Sequence, residues 1–218
     1  FGYPASAIRV AALSQADLDQ FDVLILPSSQ GAYPDSLAAR LKAWVAKGGT
    51  LIGIEEAVGY LASNGLLSTA AEALAVEKKP DAAKPAPGKL LQSEAAYLDA
   101  IRPDKEQADA VQGILGIAKT DSEHWLTAGV PPTVNALVQG RTVYSPIKLD
   151  KGVNAAYFLG ADKLLASGYM WEENRKQLAY KPLVMIERQG AGHVIGFAFD
   201  PNFRAYQNGQ PVPLRANS

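Results

Sequence analysis

The sequence contains no cysteine. A thiol nucleophile, a disulfide and a thiolate metal site are therefore excluded from this chain. The absence leaves the compartment open, because a chain of 218 residues buries roughly 70% of its unfolded surface and needs no covalent staple. Histidine is nearly as scarce: there are two, His124 and His193. Neither sits in His-x-x-Glu or His-Glu-x-x-His, so the sequence offers no zinc motif of its own. The net charge is −1, which gives no electrostatic footprint for nucleic acid or an anionic membrane. No apolar run approaches the ~20 residues that cross a bilayer. What remains, 48% hydrophobic and 20% charged residues, is the balance of an ordinary globular protein. Phe1 is not a methionine and Leu214 to Ser218 closes no element, so both ends are expected to be cuts in a longer chain.

The clearest organisation lies between Phe21 and Glu56. Val23 to Leu26 is a continuous apolar run of strand length, the kind buried on both faces of a parallel sheet. Pro34 opens a helix that runs to Lys47, with Asp35 or Ser36 as its cap. Leu37, Leu41, Trp44 and Val45 form one apolar stripe on it, while Arg40, Lys42 and Lys47 face water. Gly48 and Gly49 stop the helix. Thr50 to Ile54 is a second buried strand. So short a crossover predicts parallel pairing of the two strands.

Further elements are read more coarsely. Ile8 to Leu13 is expected as a strand, Ala57 to Leu61 as the start of a helix ended by Ser63 to Gly65, and Leu67 to Val76 as helical. Residues 62–110 read as an insertion, with an exposed Pro/Ala/Lys loop at 78–89 and a helix within Leu90 to Ile101. Gly113 to Ala118 returns to strand, and Asp121 to Gly129 is a polar loop with one apolar anchor. Thr133 to Val138 and Thr142 to Tyr144 read as a hairpin. Ala155 to Leu159 and Leu164 to Tyr169 are short strands, and Trp171 to Leu178 a short polar helix or turn. Leu183 to Arg188 and Val194 to Phe199 flank a Gly-rich turn in the clearest hairpin of the chain. The fold class expected is α/β: a flavodoxin-like or amidotransferase-like mixed sheet with a parallel core, helices on both faces and an antiparallel C-terminal part, all in a single domain.

In such folds the chemistry sits at the carboxyl edge of the sheet. Here that edge carries Glu55 and Glu56 between Gly53 and Gly59. In a nucleophile elbow the reactive side chain stands on a strained strand-to-helix turn between small residues. A carboxylate there is a nucleophile or a base only beside a partner that tunes it. The plainer reading places both carboxylates at a helix N-terminus, where the dipole favours negative charge. His124 lies in a loop and is able to line a cleft or to bond backbone. His193 opens a strand and reads as structural. Asp200, Asn202 and Arg204 after the last strand form either a carboxylate- or sugar-binding corner or a capped turn. Trp125 and Trp171 offer apolar surfaces for a small sugar or peptide. The charged run from Trp171 reads as a solvated face.

Asp22 to Pro27, the helix ending at Gly48 and Gly49, and the turn after Ile54 together resemble the class I glutamine amidotransferase-like fold. Active members carry Gly-x-Cys-x-Gly at that turn; here Gly53 and Ile54 are kept and Glu55 stands where the cysteine would be. Thiol chemistry is thus ruled out. Phe1 to Pro4, Asp121 to Gly129 and Gly192 to Tyr206 resemble the amidotransferase-like domain that follows the catalytic domain in certain bacterial zinc carboxypeptidase-family proteins. The resemblance implies a first strand and helix upstream of Phe1, an exported (periplasmic or secreted) parent, and zinc held by an upstream peptidase domain, with no cofactor in this chain. It implies a non-catalytic accessory domain that packs on that peptidase domain or binds a peptide or cell-wall fragment. The alternatives are a hydrolase using Glu55 or Glu56 with His124, and a small-ligand binding module.

Overall fold

The computed structural model describes residues 4–29, 33–74, 92–101 and 111–201. Its centre is an eight-stranded sheet. The strands β1 (Val23–Leu26), β2 (Thr50–Ile54), β10 (Gly192–Phe197), β9 (Pro182–Gln189), β7 (Gly152–Phe158), β4 (Val111–Thr120) and β5 (Thr133–Gly140) follow one another across it. β8 (Leu165–Ser167) also pairs with β4, and β3 (Ala71–Ala73) and β6 (Thr142–Tyr144) make a separate two-stranded sheet. β1 and β10 flank β2 and both run parallel to it; every other pairing is antiparallel. The result is a mixed α/β architecture consistent with a flavodoxin-like or amidotransferase-like fold, with an antiparallel C-terminal part.

The helix between β1 and β2 forms where the sequence places it. A 3₁₀ turn over Asp35–Leu37 leads into α2 (Ala38–Ala46), and Leu37, Leu41, Trp44 and Val45 are all buried. Burying such a side chain contributes about 1.5–3 kcal/mol. The cap differs from expectation. Neither Asp35 nor Ser36 closes the helix; Asp35 instead accepts a hydrogen bond from Asn64 Nδ2 at 3.2 Å, tying α2 to α3 (Glu56–Ser63). Tyr60 Oη adds a second tie, donating to the Pro34 carbonyl at 3.1 Å.

These ties place α2 and α3 side by side on one face of the sheet. Gly53 and Gly196 are register partners on that face, and a Cβ at either would meet Leu61 or Val58 of α3. Leu24 and Leu26 of β1 point the same way, by the two-residue alternation of a strand. Val23 and Ile25 therefore point to the opposite face, where they are 49% and 54% exposed. The expected burial of β1 on both faces is corrected for the described residues: among them β1 is the sheet's edge strand, and only one of its faces is covered.

Three further expectations are corrected. Ile8 to Leu13 is not a strand; Val10–Leu13 is one helical turn, α1, which sends Leu13 into the core. Arg40 fixes the chain that follows by donating to the carbonyls of Ser14 and Ala16. The alanine-rich stretch after Leu67 is not helical through its described part, because pairing of β3 with β6 overrides alanine's local preference. Leu66, Leu67 and Leu74 around it are buried in the main core. Finally, β5 and β6 do not pair as a hairpin. β5 joins β4, whereas β6 leaves after Gly140 (φ 73°) to join β3. The hairpin of β9 and β10 forms as expected, Gln189 facing Gly192 across a turn with Gly190 at φ 62°. The helix expected within Leu90 to Ile101 is α4 (Glu94–Ala100), and that after Trp171 is α5 (Glu172–Leu178). The 78–89 loop lies outside the described residues.

Candidate functional site: a carboxylate elbow at the sheet edge

β2 runs straight into α3 with one residue between them, Glu55, at φ 52° and ψ −116°. Those dihedrals lie outside the regions open to an L-residue without strain, and non-glycine residues hold them only where the surroundings enforce it. The surroundings here are specific. The Glu55 N–H donates to the Phe197 carbonyl at 2.8 Å, which extends the β2–β10 ladder by one step. The Glu55 carbonyl accepts twice, from the Val58 N–H at 2.9 Å and from Tyr144 Oη at 3.0 Å. Gly53 lets α3 turn back closely, since a Cβ there would lie 2.6 Å from Leu61 Cδ1. This is the backbone of a strand–elbow–helix unit, as the spacing of Gly53 and Glu55 implies.

The side chains are of a different kind from the backbone's precedent. Glu55 is half-buried, and Glu56, the first residue of α3, is exposed. Ser28, two residues past β1, donates its hydroxyl to the Glu56 carboxylate. Burial pushes the Tyr144 phenol up to about 12; a Gly59 backbone hydrogen bond offsets part of this, and the Glu56 and Glu55 charges add to it. Tyr144 thus stays protonated and serves as a fixed donor to the elbow. Sequence reasoning missed both Tyr144 and Ser28. Tyr144 is 89 residues from Glu55, and no local pattern marks such a pair.

No protein-family model matches the chain, and no curated protein matches it. Solved structures with related shapes include a β-galactosidase from Bacillus circulans sp. alkalophilus, at 14% identity and TM-score 0.44, with 84% of this chain and 21% of that one covered. A putative ThuA-like protein from Parabacteroides merdae has 12% identity and TM-score 0.49, over 84% of this chain and 61% of that one. A glutamine amidotransferase from Thermotoga maritima has 10% identity and TM-score 0.44, over 86% and 59%. The chain therefore spans about a fifth of the first of these proteins and about three fifths of the other two. Likenesses this distant carry no argument about its chemistry.

The remaining candidate residues fall elsewhere. His193 is the register partner of Thr50, at the amino end of β2, whereas Glu55 follows Ile54 at the carboxyl end. Five steps of strand separate those levels, about 16 Å at 3.3 Å per residue. The Trp125 ring lies 5.9 Å from that of His193, and the His124 ring 5.6 Å from that of Trp125. His124 Nδ1 accepts the Leu126 N–H at 3.2 Å and so caps the 3₁₀ turn Trp125–Thr127. Among the described residues no hydrogen bond or ion pair joins His124 to Glu55 or Glu56. The structure brings His124, Trp125 and His193 together as one aromatic run; it does not join His124 to the elbow.

Trp171 belongs to a different pair, edge-on to Tyr169 with ring centroids 5.3 Å apart. The charged run after it is not wholly solvated, because Asn174 is buried. Asp200 is half-buried just beyond Phe199, and Asn202 and Arg204 lie outside the described residues. A depression of about 170 Å³ flanks α2 between Asp17, Asp19, Arg40, Trp44 and Lys47. Its charges are already engaged: Lys47 Nζ lies 3.2 Å from Asp19 Oδ2, and Arg40 donates to backbone. Among the described residues no three histidine or carboxylate side chains converge as a metal site, and no helix is long and apolar enough to cross a membrane.

Proposed function

We propose that this chain is a non-catalytic amidotransferase-like accessory domain of a longer, exported protein of the zinc carboxypeptidase kind. One observation carries the reading: the elbow backbone is kept while the side chain on it is Glu55, in a sequence without cysteine. The contacts of Glu55 support it, since among the described residues its hydrogen bonds are made by the main chain and fix a turn. A nucleophilic or basic carboxylate needs a proton-transfer partner within about 3.2 Å, or one water away. The histidine proposed for that role caps its own loop. Any zinc belongs to the upstream peptidase domain, and this chain's part is to pack against that domain or to hold a peptide or cell-wall fragment at the sheet edge.

Two measurements test the reading. The purified chain is offered glutamine, simple amides and peptides; no turnover above buffer is expected. Turnover that disappears in Glu55→Gln would overturn the proposal and make the elbow a working carboxylate site. The intact mass and sequence of the protein from its native source give the second test. A heavier chain with His-x-x-Glu upstream is the expected result; a native chain that begins near Phe1 removes the accessory role.

A further inference from the structure

We propose that Asn64 is a self-modification site: it deamidates through the Gly65 nitrogen when the last turn of α3 opens, and the aspartate formed unties α3 from the turn that leads into α2. Asn64 is followed by Gly65, which has no side chain to hinder attack of its nitrogen on the Asn64 side-chain carbonyl. The step needs no reagent but water. The Gly65 nitrogen bonds to Asn64 Cγ, the Cγ–Nδ2 bond breaks, and ammonia leaves with the Gly65 proton. The product is a five-membered succinimide. Water then breaks one of the ring's two C–N bonds. Release of Cγ leaves aspartate in an ordinary peptide link, and release of the main-chain carbon leaves isoaspartate. One water enters, one ammonia departs, and the ammonia takes up the proton of the new carboxyl. The sequence's second Asn-Gly pair, Asn208-Gly209, lies outside the described residues.

The folded turn holds the step in check. Gly65 stands at φ 62°, the left-handed residue that ends α3, and its N–H donates to the Ala62 carbonyl at 3.0 Å. Asn64 lies at ψ 7°, which turns the Gly65 nitrogen away from the Asn64 side chain. Leu66 and Leu67, whose N–H groups both donate to the Leu61 carbonyl, are buried and anchor the chain just beyond. Attack therefore waits on a local opening of this turn, and helix ends are where such openings cost least. The contacts at stake are specific. Asn64 Nδ2 donates to Asp35 Oδ1 at 3.2 Å, to the Tyr60 carbonyl at 3.1 Å and to Ser63 Oγ at 3.4 Å. An aspartate there has no proton to give, and the first of those partners is itself a carboxylate. The new charge also stands at the carboxyl end of a helix, where the dipole opposes it. Lys42 Nζ, 3.4 Å from where a Gly65 Cβ would lie, is the cation at hand, and it is exposed. An exposed ion pair with it returns less than the lost donor bonds remove. Tyr60 Oη keeps its own bond to Pro34, so the helices loosen without parting.

The test incubates the intact chain at mildly alkaline pH and follows, by mass-spectrometric peptide mapping, the exchange of NH2 for OH at residue 64. Conversion is expected to be at least about tenfold faster in urea than in buffer. In buffer it is expected to be about three- to tenfold faster in Asp35→Ala, which loses one bond that holds the turn closed. Asn64→Asp reproduces the product and is expected to melt roughly 2–4 °C below the unaltered chain. Asp35→Asn added to that variant sets an amide donor opposite the new carboxylate and is expected to restore the loss. Equal rates in urea and buffer overturn the gate, and no conversion in either overturns the site. An Asn64→Asp chain that melts no lower than the unaltered one means that Lys42 takes the charge, and overturns the untying. A loss that Asp35→Asn does not restore overturns the part given to Asp35. These outcomes are independent of the accessory-domain reading, which falls instead to turnover at Glu55.

Discussion

The Tyr144 hydroxyl donates to the Glu55 carbonyl at 3.0 Å, joining β6 to the one residue between β2 and α3. The bond spans 89 residues of sequence. It ties the small β3–β6 sheet to the carboxyl edge of the main one. The elbow is therefore held from two directions, by the β10 ladder through Phe197 and by Tyr144 from the helix side.

Tyr144→Phe removes that donor and leaves a strained carbonyl with one partner fewer. The expected loss is about 1 kcal/mol, from the range for a single buried hydrogen bond. In a chain of this size that lowers the melting temperature by roughly 2–4 °C. The pH dependence gives a second readout, that of the buried phenol itself. The folded pKa of Tyr144 is raised to about 12, against an ordinary value of 10.0. Between those values the unfolded chain gives up the proton and the folded chain retains it. The stability linked to this proton is complete below the unfolded pKa and falls as the pH rises toward the folded one. Urea unfolding of both proteins from neutral to alkaline pH is the measurement. The unaltered chain is expected to lose stability more steeply with pH than Tyr144→Phe.

Gly192 and Gly196 lie four residues apart on β10 and are expected to respond differently to alanine. A Cβ at Gly192 would sit 2.2 Å from the carbonyl oxygens of Gly49 and Val45, which are backbone and have no way to yield. At Gly196 it would meet Leu67 Cδ2 at 2.8 Å, the end of a side chain with other rotamers. Overpacking costs about 1–3 kcal/mol where neighbours adapt, and more where they do not. Gly192→Ala is expected to be the worse of the two, beyond that range, with Gly196→Ala inside it. Chemical denaturation ranks them; the reverse order would mean that α2 and the β2 entry shift as easily as one leucine.

Much of the parallel unit was legible in the sequence because its signals are local. The stripe from Leu37 to Val45, the Gly48–Gly49 stop and the two apolar runs each fit within one element, and each appears where expected. The errors share a cause in long-range pairing. Thr142 to Tyr144 looked like the return arm of a hairpin, yet its partner is Ala71 to Ala73, read locally as helix. The burial of Val23 and Ile25 was misjudged because composition does not distinguish an edge strand from a central one. At the site, the elbow position of Glu55 followed from its glycines, whereas Tyr144 and Ser28 belong to contacts that exist only once the sheet is assembled.

Glu55→Gly separates the backbone of the elbow from its carboxylate. Glutamate at φ 52° and ψ −116° carries strain of about 1–3 kcal/mol. Glycine reaches those dihedrals without the clash but adds about 0.5–1 kcal/mol of chain entropy to be lost on folding. The balance favours glycine by about 1 kcal/mol, a rise of roughly 2–4 °C in melting temperature for a chain this long. Glu55→Gln keeps the strained backbone and removes the charge; its stability is expected to stay within about 0.5 kcal/mol of the unaltered chain. Thermal melts of the three proteins read both effects. If glutamine destabilises and glycine does so further, the carboxylate itself secures the turn and the strain is offset by a contact of that side chain. If glycine alone raises stability, the elbow holds a conformation its own residue disfavours.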